Sequence, residues 1–317
     1  MSKADTQRGG VILRAFLANL GIAVAKFAGA VITGSSSMVT EGVHSLVDTI
    51  NQLLLFHGQK RANKPADAVH PLGYAREQYF WAFVVGLLVF TLGAGVALYQ
   101  GLGNLADPAA TRTPVVALAI LGMALLLEGW SLRAAAQEFN RMRGDMKVIE
   151  AIRTSRDTVT LSVLLEDSAA VVGLLLAAGG IALELLTGNP RWNAIASILI
   201  AVALAAVAVV LLIKAKHLLI GQRSDPALMI KVRSIVEAEP GLTSINELLA
   251  IQQSAETSIA LISLDFDDTL SARQIETAVA RIKAKVATEI PMFGRIYVAV
   301  ERNPALSQAD QGRPTLE

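Results

Sequence analysis

The chain has 317 residues, 53% of them hydrophobic and 17% charged, with a formal net charge of +1. A mean hydropathy of +0.49 is outside the range of an ordinary soluble enzyme. The small net charge argues against a nucleic-acid partner, which needs a clustered basic surface. With no cysteine in the chain, disulfides, thiolate metal sites and cysteine nucleophiles are excluded.

In chain order, residues 1–10 read as a cytoplasmic tail that leads into a first membrane helix rather than a cleaved signal peptide. Six apolar segments of spanning length follow, at 11–33, 37–58, 79–101, 114–137, 158–186 and 192–214. Short polar breaks separate them at Gly34-Ser35-Ser36-Ser37, between Asp107-Pro108 and Thr113-Pro114, and at Thr187-Gly188-Asn189-Pro190. Together with the flanks they make a transmembrane transport domain over 11–220, an integral multi-pass protein of the lipid bilayer. Lys60, Arg61, Lys64 and Arg76 lie in one connection. Arg141, Arg143, Lys147, Arg153 and Arg156 lie in another, and Lys214, Lys216 and Arg223 follow the last span. The opposite loops carry only Arg112 and Arg191. The positive-inside rule then places both termini in the cytoplasm and, for a prokaryotic source, the protein in the inner cell membrane.

From about residue 221 to 303 the pattern becomes that of a small α+β domain. Asp225-Pro226 opens a helix that Pro240-Gly241 ends. Strands are expected at 243–252, 258–266 and 294–300. A helix capped by Ser271 and Gln274 carries Ile275, Val279, Ile282 and Val286 at helical spacing. Residues 304–317 read as a disordered tail.

Ionisable groups in hydrocarbon cost several kcal/mol, so those inside the spans mark an ion or proton path. On a helix, Glu41, His44, Asp48 and Asn51 fall within an arc of roughly 80°. His44 and Asp48, one turn apart, reach a common ion, and an imidazole with carboxylates suits zinc, iron(II), cobalt or manganese. Asp167 on the fifth span is the natural third ligand, with water or Glu166 as the fourth. Adjacent helical residues point about 100° apart, so only one of Glu166 and Asp167 aims squarely at the site. Glu41 and Asn51 are candidates for an entry path or for supporting the ligands. The competing reading is that these groups are hydrogen-bonding glue between helices. Lys26 is expected to pair with an acid, and Glu128 to serve a proton path or pair across helices. His57 and His217 read as interfacial, and Glu184 as solvated. The cluster Asp265, Asp267 and Asp268 reads as a solvated strand end. There is no G-xxxx-GK[ST] phosphate loop, no HExxH pair and no Gly-x-Ser-x-Gly elbow, so the chain reads as no enzyme, with no cofactor and no ATP-driven step.

The run SSSMVTEGVHSLVD, Ser35 to Asp48, resembles the second span of the cation diffusion facilitators. The likeness continues through His70-Pro71-Leu72-Gly73-Tyr74-Ala75-Arg76-Glu77, and LLEDSAA, Leu164 to Ala170, is similar to the zinc transporter 9-like branch. The resemblance implies six spans, a ferredoxin-like cytoplasmic domain and a homodimer that forms through that domain. It further implies proton-coupled efflux of a divalent metal, zinc first, by antiport and alternating access. In it the second span supplies the H/D-xxx-D metal pair, here His44 and Asp48. Many members repeat that pair in the fifth span, and here Val163 stands where the other ligand is found, which leaves Glu166 as its replacement beside Asp167. An accessory D-xx-H-xxx-H loop site of some relatives is reduced to Asp67 and His70, with Tyr74 in the last position, so a structural role is expected for that loop. The missing ligand also motivates an alternative, a metal-responsive membrane module that recruits a partner through its C-terminal domain without transporting.

Overall fold

The computed structural model of the protein describes residues 19–303. The expected N-terminal tail, the start of the first span and the expected disordered tail lie outside them. The chain divides into two compact units between Lys216 and His217.

Helix α1 runs through Asn19–Thr33 and α2 is Ser36–Ala62. Gly34, at φ +68°, makes the reversal between them, and Ser35 caps α2 by accepting from the Met38 N–H. The third apolar stretch is not one regular helix. Glu77–Leu88 (α3) and Gly95–Ala106 (α4) are joined by a π-helical segment, Val89–Ala94. Pro114–Arg143 (α5), the short Val148–Thr154 (α6), Thr158–Thr187 (α7) and Arg191–Ile220 (α8) complete the helices of this part. Proline at the start of α5 and the Asp157 carboxylate, accepting from Val159 and Thr160 N–H, fix two of these starts.

Among the described residues, four stretches are long and apolar enough to cross a membrane: Glu77–Ala106, Pro114–Arg143, Thr158–Thr187 and Arg191–Ile220. Helix α2 is as long as a span, at 27 residues, but its polar content sets it apart from those four. Its polarity is turned inward. Leu46, Ile50, Leu53 and Phe56 are exposed along one stripe, while Glu41, His44 and Asn51 are buried on the other. That is the reverse of an amphipathic helix in water and is what a lipid solvent selects. Glycines let the helices close in. A Cβ on Gly101 would stand 2.6 Å from Ile198 Cγ1, and one on Gly86 3.1 Å from Leu212 Cγ, so α3 and α4 meet α8 through a small-residue face.

The second unit contains Pro226–Glu237 (α9), Leu242–Gln252 (β1), Ser258–Phe266 (β2), Ala272–Glu289 (α10) and Phe293–Val300 (β3). The sheet order is β1-β2-β3, with β1–β2 antiparallel and β2–β3 parallel across the α10 crossover. The expected caps are present: Asp225 accepts from the Ala227 N–H, and the Gln274 side chain accepts from the Ser271 N–H. Val232 and Val236 of α9, Leu264 of β2, and Ile282 and Val286 of α10 form the core on one sheet face. The strands start within one residue of the expected positions. The acidic cluster is not simply solvated. Asp265 is buried and accepts from the Asn303 N–H, Asp267 binds Thr269, and Asp268 pairs with Arg302.

Candidate metal site

Helix α2 carries the candidate ligands on its inward face. The Nε2 atom of His44 lies 3.4 Å from an oxygen of Asp48, without the alignment of a hydrogen bond. His44 is 1% exposed, and neither of its ring nitrogens has a hydrogen-bond partner. One turn further along, Asn51 Nδ2 donates to Glu166 Oε2 on α7 at 3.4 Å. The neighbouring Asp167 turns to α5 instead and accepts from Ser131 Oγ at 2.7 Å. Both acids are buried. The 100° step between adjacent helical residues thus sends Glu166 toward α2 and Asp167 toward α5.

The structure therefore joins His44 with Asp48, and Asn51 with Glu166. Asp48 has Glu166, Glu128, Lys26 and Asp167 as electrostatic neighbours. No three side chains of the His, Cys, Asp and Glu types converge on one point among the described residues. What is present is a set of buried polar atoms with no hydrogen-bond partner: the two His44 nitrogens, one of which carries the lone pair of a neutral imidazole, Asp48 Oδ1, Asn51 Oδ1 and Glu166 Oε1. Unsatisfied buried acceptors in such number call for an occupant, and a nitrogen with carboxylate oxygens is a donor set for a borderline divalent cation.

Alongside runs an ion cluster of which the sequence indicated only parts. Lys26 of α1, fully buried, donates to Ser45 Oγ at 2.7 Å and to Glu41 Oε2 at 3.2 Å. Glu128 Oε1 of α5 is 3.7 Å from the same nitrogen. Each charge is visible in the sequence as an oddity in an apolar run; their partnership is not, because no local spacing links α1 to α5. Ser45 and Ser131 gave no signal, since a serine in an apolar helix is commonplace.

The loop between α2 and α3 uses its candidate ligands locally. Asp67 Oδ1 accepts from the N–H groups of Val69 (3.0 Å) and His70 (2.8 Å). Its Oδ2 accepts from Tyr74 Oη (2.7 Å) and Lys64 Nζ (3.1 Å). The backbone N–H of His70, then Tyr74 and Lys64, hold the Asp67 carboxyl well below the usual carboxylate range. The His70 ring leans on Tyr74, with centroids 4.2 Å apart. His57 likewise sets its ring edge-on to Trp81, at 4.8 Å.

Glu184 departs from expectation. It is buried, 7% exposed, and accepts from Thr111 N (2.5 Å) and Thr111 Oγ1 (2.7 Å). Hydropathy placed it at a span end, where water would solvate it, but the α4–α5 connection folds over it.

Comparison with known proteins comes to the same region. The sequence model of the cation efflux transmembrane domain matches residues 12–220. The chain is 32% identical over 246 residues to the mitochondrial proton-coupled zinc antiporter SLC30A9 of Xenopus laevis, and 31% over 250 residues to that of Homo sapiens. These matches take in 77% and 78% of the chain and 44% of each relative, so the chain spans under half the length of either. Metal tolerance protein C4 of Arabidopsis thaliana is 32% identical over 216 residues, covering 67% of the chain and 47% of the relative.

Proposed function

The chain belongs to the cation efflux family, the cation diffusion facilitators, and from that premise we propose that it carries a divalent transition-metal cation, zinc foremost, across the membrane in exchange for protons. The observation that carries this reading is the set of partnerless buried lone pairs on His44, Asp48 and Glu166. His44 and Asp48 are the fixed pair, Glu166 reaches toward them from α7, and Asp167 joins the coordination by leaving Ser131 of α5. Metal and proton compete for the same lone pairs, so binding one releases the other and the two fluxes are coupled. The site opens alternately to the two sides of a six-span bundle, α1 and α2 counting as the first two spans, with both termini in the cytoplasm. Glu41 and Asn51 line its approach. The relatives named as proton-coupled zinc antiporters support zinc and protons as the exchanged ions. A set richer in carboxylate than in imidazole also admits manganese or iron(II). The Asp67 loop we assign to structure rather than to a metal, since both of its carboxylate oxygens are engaged.

Purified protein in vesicles with an imposed pH gradient is expected to move zinc one way and protons the other. His44→Ala and Asp48→Ala are each expected to abolish zinc flux; undiminished flux in both would dismiss this site. Running zinc, manganese, iron(II) and cobalt side by side on Glu166→Ala and Asp167→Ala separates the roles of the two acids.

The α-β-β-α-β unit is the ferredoxin-like domain of the family, and through it the chain pairs with a second copy. Light scattering on the full chain in detergent is expected to give a dimer, and a monomer at high concentration counts against that pairing. A second reading, a metal-responsive module that does not transport, has one observation in its favour: no three ligating side chains converge among the described residues. Zinc binding with no flux would favour it.

A further inference from the structure

Three oxygens from two helices converge on the Lys26 nitrogen: Ser45 Oγ at 2.7 Å, Glu41 Oε2 at 3.2 Å and Glu128 Oε1 at 3.7 Å. Two carboxylates and a hydroxyl around one positive centre are how a hard cation is held. Here the cation is part of the chain. One ammonium faces two carboxylates, and the second Glu41 oxygen, Oε1, is buried with no hydrogen-bond partner. Counted by formal charge, the cluster is one positive charge short.

We infer that Lys26 is a tethered cation that fills a second acidic site and so bars a second divalent metal ion from the bundle. An apolar side chain at position 26 would pack against α2 at less desolvation cost, so a buried lysine there is weak evidence for stability alone. A divalent ion would match the two carboxylates better than a single ammonium does. The lysine holds its place because its covalent tether gives it an effective concentration that a free ion does not reach. Lys26 is in this sense a specificity-determining residue: it confines metal to the lone pairs at His44 and Asp48. The inference relies on the proposed function for the first ion only, because the second is counted separately.

The test is the number of zinc ions bound per protomer at saturation, measured on the full chain in detergent. Lys26→Met is expected to bind one more than wild type. Lys26→Met combined with Glu41→Gln and Glu128→Gln is expected to return to the wild-type count, since the vacated oxygens no longer carry charge. Equal counts in wild type and a monodisperse Lys26→Met protein would overturn the inference. If Lys26→Met is not monodisperse on its own, its recovery by added zinc with His44→Ala and Asp48→Ala also in place supports the inference, because an ion that binds only the folded form stabilises it and the first site is then removed. Failure of zinc to recover it overturns the inference. A wild-type protein that binds no zinc counts against the proposed function, whereas the gain in Lys26→Met is read against whatever wild type binds.

Discussion

Gly173 of α7 decides how the Lys26 cluster is accommodated. A Cβ at that position would run into Glu41 Oε1, so the carboxylate lies in space that only a glycine leaves free. Two effects of opposite sign meet in Gly173→Ala. Replacing glycine by alanine inside a helix gains about 1 kcal/mol of propensity. Forcing a methyl group into a filled interior costs about 1–3 kcal/mol. Here the obstructing group is tied by a buried ion pair to Lys26, so it does not swing aside cheaply, and the clash wins. Gly173→Ala is expected to lower the unfolding temperature in detergent. Adding Glu41→Asp, one methylene shorter, is expected to recover part of the loss. A Gly173→Ala protein as stable as wild type would show that Glu41 moves freely and that the cluster is not rigidly held.

At the scale of elements, polar contacts join helices at two levels of the bundle. One level is the Lys26 cluster together with the Asn51–Glu166 and Ser131–Asp167 bonds, which link α1, α2, α5 and α7. The other lies at the α1–α2 turn. There Asn193 of α8 donates to Ser35 Oγ and Thr111 Oγ1, each at 3.1 Å, while Glu184 of α7 takes the Thr111 N–H. A hydrogen bond to a charged acceptor contributes about 1.5–3 kcal/mol, so this second level is more than decoration on the loops. The sequence showed the members of these levels unequally. His44 and Asp48 were legible because they sit one turn apart on a single helix, where spacing alone implies proximity. Glu184 was misread because its partner, Thr111, is 73 residues away and belongs to a loop. The ends of α2 and α5 extend beyond the apolar runs, through Gln59 to Ala62 and Glu138 to Arg143, because good helix formers continue a helix after the hydrocarbon ends. The π-helical segment Val89–Ala94 left no trace in an uninterrupted apolar stretch, since its residues are as apolar as the α-helical ones beside them.

For the whole molecule the outstanding quantity is orientation, and the absence of cysteine makes it directly measurable. The basic residues are gathered at one set of helix ends and connections: Lys60 and Arg61 in the last turn of α2 with Lys64 after it, then Arg141 and Arg143 in the last turn of α5 with Lys147 between α5 and α6. The Asp107 to Thr113 connection has Arg112 alone, and the turn from α7 into α8 has only Arg191, the first residue of α8. Charge bias of this kind sets topology because lysine and arginine in short loops resist translocation. An odd number of crossings between Ala109 and Asp145 puts them on opposite sides, and α5 is the one span-length helix between them. Both positions are exposed, so each reports as a single introduced cysteine without disturbing a core. In intact cells, an impermeant maleimide is expected to label Ala109→Cys and to leave Asp145→Cys unlabelled until the membrane is opened. Glu256→Cys, exposed in the turn between β1 and β2, is expected to behave as Asp145→Cys does, because an even number of crossings, α7 and α8, separates them. Labelling of Asp145→Cys and Glu256→Cys with Ala109→Cys protected would invert the orientation. Labelling of Ala109→Cys together with Glu256→Cys would instead break the crossing count itself.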